Sequence, residues 1–388
     1  MIDIERARRE TPGCNHVVHF NNAGSALPPD CVVEAVKAHL DLEARIGGYE
    51  AAAAAHERIG GTYQAIAELI GSAPEEIALV ENATRAWDMA FYSMRFCAGD
   101  RILTGRAEYA SNVIAFLQAA RRTGVHVEVV PDDETGQVDV EALARMLDER
   151  VKLIAITHVP TNGGLVNPAS EIGRICRSAN IPFLLDACQS VGQMKIDVAD
   201  LQCDILSATG RKFLRAPRGT GFLYVRKSMI EQLEPIMLDL HAARWVDPDR
   251  YEIRKDARRF ENWESGVAAR IGLGVAARYA LGWGLQAIEE RVEQLAAVLR
   301  TRLETLPDVR VRDKGARRCA IVSFLLDGES PESVKRRLRG ENINVSVSEA
   351  SSTLFDMKER GLSSLIRASV HYYNTEDEID RLIQALRR

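Results

Sequence analysis

The chain has 388 residues, 46% of them hydrophobic and 27% charged, with a formal net charge of −5. That length suits two or three domain-sized units rather than one small core, and the mild acidity gives no reason to expect a nucleic-acid partner. No apolar run approaches the ~20 residues of a membrane-spanning helix, and the charged start MIDIERARRE has no apolar stretch of the kind a secretory signal needs.

In chain order, residues 28–70 read as mostly helical. The runs RILT (101–104), VEVV (127–130), KLIAITHV (152–159), PFLLDA (182–187), DILSAT (204–209) and GFLYVR (221–226) read as strands. Helical patterns lie between them near 111–122, 139–149 and 169–179. The alternation predicts an α/β domain with a mostly parallel, mixed sheet. The connection from 209 to 221 is too short for a crossover helix and contains Pro217, Gly219 and Gly221, so one strand of that pair is expected to run antiparallel.

An Ala-rich helical stretch over 266–305 is expected to lead into a smaller α+β unit. That unit should hold a strand at Cys319–Leu325, a helix at Pro331–Arg339, strands at Ile343–Val347 and Leu365–His371, and a last helix from Thr375. TEDE at that point is a capping-box start. The expected division is a large domain over 21–265 and a small one made of 1–20 and 266–388. The seven cysteines (14, 31, 97, 176, 188, 203, 319) form no CxxC and the eight histidines no HxxxH or HExxH. Neither a disulfide framework nor a metal site is expected, and a reducing cytoplasm fits.

In an open α/β sheet, ligands bind beyond the carboxyl ends of the strands. Asp186 ends one apolar run, DILSAT leads directly into Gly210-Arg211-Lys212, and Glu108 and Tyr109 follow RILT. A lysine desolvated at such a place has a lowered pKa, and its neutral amine can form a Schiff base. The competing reading is a surface lysine in a basic loop with Arg211, Arg215 and Arg218 that grips phosphate or an acidic substrate without covalent chemistry. A carboxylate at a buried strand end is costly without a partner. A pyridinium nitrogen is one such partner; capping the following helix, DACQS, is the alternative.

Together these residues sit in a stretch, FLLDACQSVGQMKIDVADLQCDILSATGRKFLRAPRGTGFLYVR, that resembles the core of the class V aminotransferase family. That family consists of fold-type I pyridoxal-phosphate (PLP) enzymes and includes cysteine desulfurases, selenocysteine lyases, isopenicillin-N epimerase-like proteins and the C–S lyases of ergothioneine biosynthesis. The shared pattern is D-x-x-Q, then [ST]-G-x-K, then G-x-G-x-L-Y. FNNAGSALPP near the start, ENATRAWDMA at 81–90, HVPTNGGLVNP at 158–168 and LIRASVHYYNTEDEIDRLIQAL at the end extend the resemblance over nearly the whole chain.

The resemblance implies roles. Lys212 matches the Schiff-base lysine, Asp186 the partner of the ring nitrogen, and Gln189 the glutamine near the cofactor's 3-oxygen. Thr84 and Thr209 match phosphate-holding groups, joined by the backbone amides of Ala83, Thr84 and Arg85 at a helix start. Arg211 stands where many desulfurases carry histidine and has the phosphate within its expected reach. Tyr109 replaces the ring-stacking histidine; it can stack but cannot copy histidine's acid–base role near neutral pH. Asn162 or its neighbour Thr161 is expected at the cofactor or substrate. Arg367 matches the arginine that grips the substrate carboxylate, with a structural salt bridge as its plainer reading. Asn22, Ala23 and Tyr49 are expected around the substrate.

Two departures bear on activity. The desulfurases carry a catalytic cysteine on the loop before the RAS strand, whereas VSVSEASSTLFDMKERGLSS has none. FENWESGVAA at 260–269 lacks the Gly-Thr pair that serves the neighbouring subunit's phosphate, placing Trp263, Glu264 and Ser265 there. The second pattern is similar to the epimerase-like and ergothioneine-lyase branches. The expectation is therefore a cytoplasmic homodimer with active sites at the interface, neither nucleic-acid- nor membrane-bound, acting on an amino acid. β-Elimination at a C–S bond leads; epimerisation with Tyr109 or His371 as the opposite-face acid, transamination and desulfurase-like activity follow, with a non-catalytic binding protein of this fold as the alternative of another class. A nucleotide-binding enzyme lacks its motifs, since neither GxGxxG nor GxxxxGK[ST] is present.

Overall fold

In the computed structural model, which describes residues 2–387, the chain opens with helix α1 (Ile4–Arg9), strand β1 (Val18–His19) and helices α2 (Asp30–Ile46), α3 (Gly48–Ala54) and α4 (His56–Ile70). Seven strands then form the main sheet: β2 (Ile77–Val80), β3 (Arg101–Thr104), β4 (His126–Val129), β5 (Val151–Thr157), β6 (Phe183–Asp186), β7 (Ile205–Thr209) and β8 (Gly221–Val225). Their spatial order is β2-β8-β7-β6-β5-β3-β4. Helices α5 (Ala83–Phe91), α6 (Ala110–Thr123), α7 (Val140–Arg145), α8 (Ala169–Ala179) and α9 (Val198–Leu201) fall between strands, and α10 (Lys227–Ile230) follows β8.

The apolar runs become strands because helices cover both sheet faces; in β5 every residue but Lys152 is buried. β8 runs antiparallel to both β7 and β2, as the short connection from 209 requires. β2 went unread in the sequence: IALV is only four residues long and sits between two helices, where length alone cannot distinguish a strand. A hairpin of β9 (Ala243–Asp247) and β10 (Arg250–Ile253) follows.

The stretch 266–305 is two helices and not one, α11 (Val267–Trp283) and α12 (Leu285–Glu304). Gly284 between them has φ +83°, which ends a right-handed helix and suits glycine alone among common residues. α11 lies against α2 and α4, with Gly274 so close to Thr62 that an added Cβ would stand 2.4 Å from the Thr62 hydroxyl. α12 instead covers the second sheet.

That sheet is antiparallel, in the order β11 (Val309–Val311), β12 (Ile321–Leu326), β15 (Ser364–Ser369), β14 (Ser346–Glu349). The single strand expected at Ile343–Val347 divides at Val345, because β13 (Ile343–Asn344) pairs with β1 while β14 pairs with β15. Helices α13 (Pro331–Gly340), α14 (Leu354–Glu359) and α15 (Glu376–Leu386) complete the unit. The Thr375 capping box forms, with the Glu378 amide donating to Thr375 Oγ1 at 3.2 Å and the Thr375 amide donating to Glu378 Oε2 at 3.3 Å.

The amino-terminal strand is thus stitched to the carboxy-terminal sheet. Ser369 donates its amide to Phe20 O at 2.7 Å, and Asn21 bridges to Ser369. The loop 22–26 is thereby carried to the cleft between the two sheets.

Candidate active site

At the carboxyl ends of the parallel strands, Thr157, Asp186 and Ser207 lie side by side in register. A cavity of about 480 Å³ opens there, lined among others by Asn82, Ala83, Thr84, Tyr109, Asn112, Thr157, Thr161, Asp186, Cys188, Gln189, Thr209, Arg211 and Lys212. A roomier open groove of about 650 Å³ lies at the other end, near the starts of β5 and β6 around Lys152 and Pro182. It holds none of the converging groups, and the strand polarity favours the smaller cavity.

β7 ends at Thr209 and the chain turns at Gly210, where a Cβ would stand 2.3 Å from the Thr220 hydroxyl. That turn delivers Lys212 into the cavity. Burial lowers its pKa, and the charges of Arg211 and Arg367 add to the effect while Asp186 opposes it. Its amine has no hydrogen-bond partner among the described residues. The surface-lysine reading is thereby set aside by geometry.

Asp186 is buried, 5% exposed, and held from two sides. The Cys188 amide donates to its Oδ1 at 2.9 Å and Asn112 Nδ2 to its Oδ2 at 3.0 Å. Asn112 also donates to Glu108 Oε1 at 2.7 Å, so one side-chain amide ties two buried carboxyls together. Glu108 further accepts from the Thr157 amide at 2.9 Å and hydroxyl and from the Tyr109 amide at 3.0 Å. All its donors are neutral. Burial, with the Asp186 charge adding, pushes its pKa up to about 7. Sequence reasoning placed Glu108 at the strand end but missed Asn112, which follows it at i+4 and so faces the same side.

At one end of the cavity α5 begins. Asn82 caps it, accepting from the Arg85 amide at 2.9 Å, while the amides of Ala83 and Thr84 have no protein acceptor among the described residues. Thr84 and Thr209 line the same end. The Arg85 expectation is corrected here: its amide is engaged by the cap, and its guanidinium donates to Asn262 Oδ1 at 2.7 Å, outside the cavity lining.

Behind the other end Arg367, on β15, donates to Ser346 Oγ at 3.0 Å and to the hydroxyl and carbonyl of Thr161, which lines the cavity where Arg367 itself does not. Burial, with the Arg211 charge adding, lowers its pKa to about 10. It has no carboxylate partner among the described residues, so the salt-bridge reading does not hold. Gln189 donates to Ala23 O at 3.1 Å, and its Oε1 is buried without a partner. Ala23 therefore touches the cavity wall through Gln189 and does not line it.

Four further expectations are corrected. Asn162 turns away, donating to Thr353 Oγ1 at 2.8 Å and accepting from Ser348, which leaves Thr161 as the cavity-lining member of the pair. Asn22 is fully engaged in tying the loop down, with Nδ2 donating to Ser369 O at 2.7 Å and Oδ1 accepting from Tyr373. Tyr49 is 75% exposed on α3 and does not line this cavity. His371 packs between Phe213 and Tyr373 with both ring nitrogens engaged, and burial drives its pKa well below the ordinary value.

The sequence profile described as Aminotransferase class-V matches residues 18–382. The chain belongs to the class-V aminotransferase family. A probable cysteine desulfurase of Xylella fastidiosa is 30% identical over 99% of this chain and 95% of its own, and one of Methanothermobacter thermautotrophicus is 28% identical over 98% of this chain and 97% of its own. Among solved structures, the apo cysteine desulfurase of Thermococcus onnurineus is 27% identical, covers 100% of this chain and 98% of its own, and has a TM-score of 0.92. The cystine C–S lyase C-DES shares the fold, with a TM-score of 0.86 at 23% identity over 97% of this chain and 98% of its own.

This class-V enzyme takes pyridoxal 5′-phosphate as its cofactor on a fold-type I scaffold. The cavity suits it: an amine without a partner, a buried amide oxygen without a partner on Gln189, two free amides at the start of α5, and a strand-end carboxylate. Among the described residues no helix is long and apolar enough to cross a membrane.

Proposed function

We propose that the protein cleaves the carbon–sulfur bond of a cysteine derivative by β-elimination and releases the sulfur product without storing it on a protein thiol. The observation that carries this reading is the state of the cavity's cysteine. Cys188 is the one cysteine lining it among the described residues, and burial, with the Asp186 charge adding, raises its thiol pKa well above the ordinary value. A thiol that stays protonated is a poor nucleophile. The segment 348–362 has no cysteine at all. A persulfide relay thus has no evident acceptor, whereas elimination needs none.

Pyridoxal phosphate, when bound, supplies an electron sink that acidifies the α-carbon of an amino acid. Lys212, desolvated and without a partner, is the residue to join the cofactor and then to take the α-proton. Asp186, backed by Asn112 and Glu108, would meet the ring nitrogen and favour its protonated form. Thr84, Thr209 and the amides of Ala83 and Thr84 would hold the phosphate, and Tyr109 and Gln189 would contact the ring and its 3-oxygen. Arg367 receives the substrate carboxylate and so orients the α-hydrogen.

For epimerisation, His371 lies outside the cavity and is kept neutral by burial, which leaves Tyr109 as its one candidate acid in the lining. A homodimer belongs to this reading. The exposed aromatic residues Trp245 (78%), Tyr251 and Trp263 gather on the hairpin and the segment after it, where a second copy would cover them. Proton NMR of the holoenzyme in heavy water tests the reaction with cysteine, S-substituted cysteines and their sulfoxides. Pyruvate and ammonia from a sulfur-bearing substrate support it. Loss of the α-proton with racemisation and no pyruvate would move the assignment to an epimerase.

A further inference from the structure

We propose that Arg211 is a second anion clamp at the substrate end of the cavity, so that the preferred substrate is an amino acid with an acidic group on its side chain. This rests on the reading of the cavity as an amino-acid site with Arg367 at the α-carboxylate.

The direction of Arg211 is the first argument. Its guanidinium donates to Gly24 O, and its own carbonyl accepts from the Ala26 amide at 3.0 Å. The side-chain contact ties the guanidinium to the loop 22–26, which is stitched to β15, and the backbone contact anchors residue 211 to the same loop. Arg211 therefore leans towards Arg367, close enough for its charge to be felt there. On this proposal Arg211 serves the substrate rather than the phosphate.

Missing counter-charge is the second argument. Buried arginines elsewhere meet an acid or a full set of oxygens. Arg101 pairs with Glu128 and Asp148, Arg300 with Asp313, and Arg215 has a carbonyl and two hydroxyls. Neither Arg211 nor Arg367 forms an ion pair among the described residues. Among the described residues each keeps Nη2 without a protein partner, and Arg211 its Nε as well. Arg211 lines the cavity, and Arg367 holds Thr161, which lines it too; two like charges that feel each other across such a wall are relieved by an anion between them. An α-carboxylate neutralises one. The other is left for a carboxylate, sulfinate or sulfonate further along the ligand.

Equilibrium titration of the holoenzyme tests this by the absorbance change on ligand binding, using matched acid and amide pairs. S-carboxymethyl-L-cysteine against S-carbamoylmethyl-L-cysteine differ in charge and hardly in shape. L-glutamate against L-glutamine repeat the comparison without any sulfur. The acid of each pair is expected to bind about tenfold tighter or more, as a charge-assisted contact provides. Arg211→Gln should bring the ratio to near one, and Arg211→Lys should retain part of it. Equal affinities in the unaltered protein overturn the proposal, whatever the variants do. So does a ratio that survives in Arg211→Gln; if cofactor affinity falls in that variant while the ratio survives, the residue belongs to the phosphate. An acid preference without pyruvate from the S-carboxymethyl compound would sink the lyase reading and leave this one standing.

Discussion

Arg211 and Arg215 stand four residues apart in one loop and use the same side chain for opposite ends. Arg215 is sealed. Its Nε donates to Leu27 O at 2.8 Å, its terminal nitrogens to Tyr372 and Thr11, and its guanidinium lies 4.6 Å from the centre of the Tyr373 ring. It even adopts a positive φ of 63° to get there. Arg211 has one carbonyl and then open space. A cation whose every nitrogen is engaged serves the fold, while one left with free nitrogens beside a cavity is available to a ligand.

The comparison is sharpened most by the residue between them. Lys212→Ala should lower turnover by about 10³-fold or more, since both covalent attachment and proton transfer are lost. Pyruvate release and the visible absorbance of the bound cofactor measure it; substantial turnover in that variant would sink the whole scheme. Arg215→Met should cost about 3 kcal/mol of stability, because carbonyl and hydroxyl partners are left buried without a donor. Urea unfolding reads that, and a cost below about 1 kcal/mol would mean Arg215 is no more structural than an ordinary surface residue.

Glu108 extends the contrast to carboxyls. Its folded pKa of about 7 stands above the unfolded value near 4.3. Its contribution is therefore present at low pH and is lost as pH rises from about 4 through about 7, on the order of 3 kcal/mol in all. Glu108→Gln should flatten the pH dependence of thermal stability over that window. A slope unchanged from the parent would show that another group sets it. The smallest effect is the mirror of Arg215: Arg211→Gln should shift unfolding stability by no more than about 0.5 kcal/mol, although it changes ligand preference.

Much of this was legible in the sequence, and for physical reasons. The main strands announced themselves as apolar runs because both faces of the sheet are covered. The strand-end placement of Asp186 and the turn before Lys212 are local properties, so reading them needed no tertiary information. What escaped depended on partners far along the chain. Asn22 looked polar and available, yet its atoms are engaged by Ser369 and Tyr373, across some 350 residues. Asn162 and Thr161 could be separated only once β14 and α14 were in place beside them. The break at Gly284 was hidden because the Ala-rich pattern continues across it, and only the different packing duties of α11 and α12 reveal it.

The stitching of Phe20 and Asn21 to Ser369 also sets an order of events during synthesis. The loop 22–26 cannot dock until the strand that holds it has been made, some 350 residues later. Loop closure over such a span is slow and entropically costly. The sheet that carries Asp186 and Lys212 can assemble much earlier, from contacts local to the middle of the chain. A nascent molecule would therefore acquire its reactive amine long before the wall that shelters it.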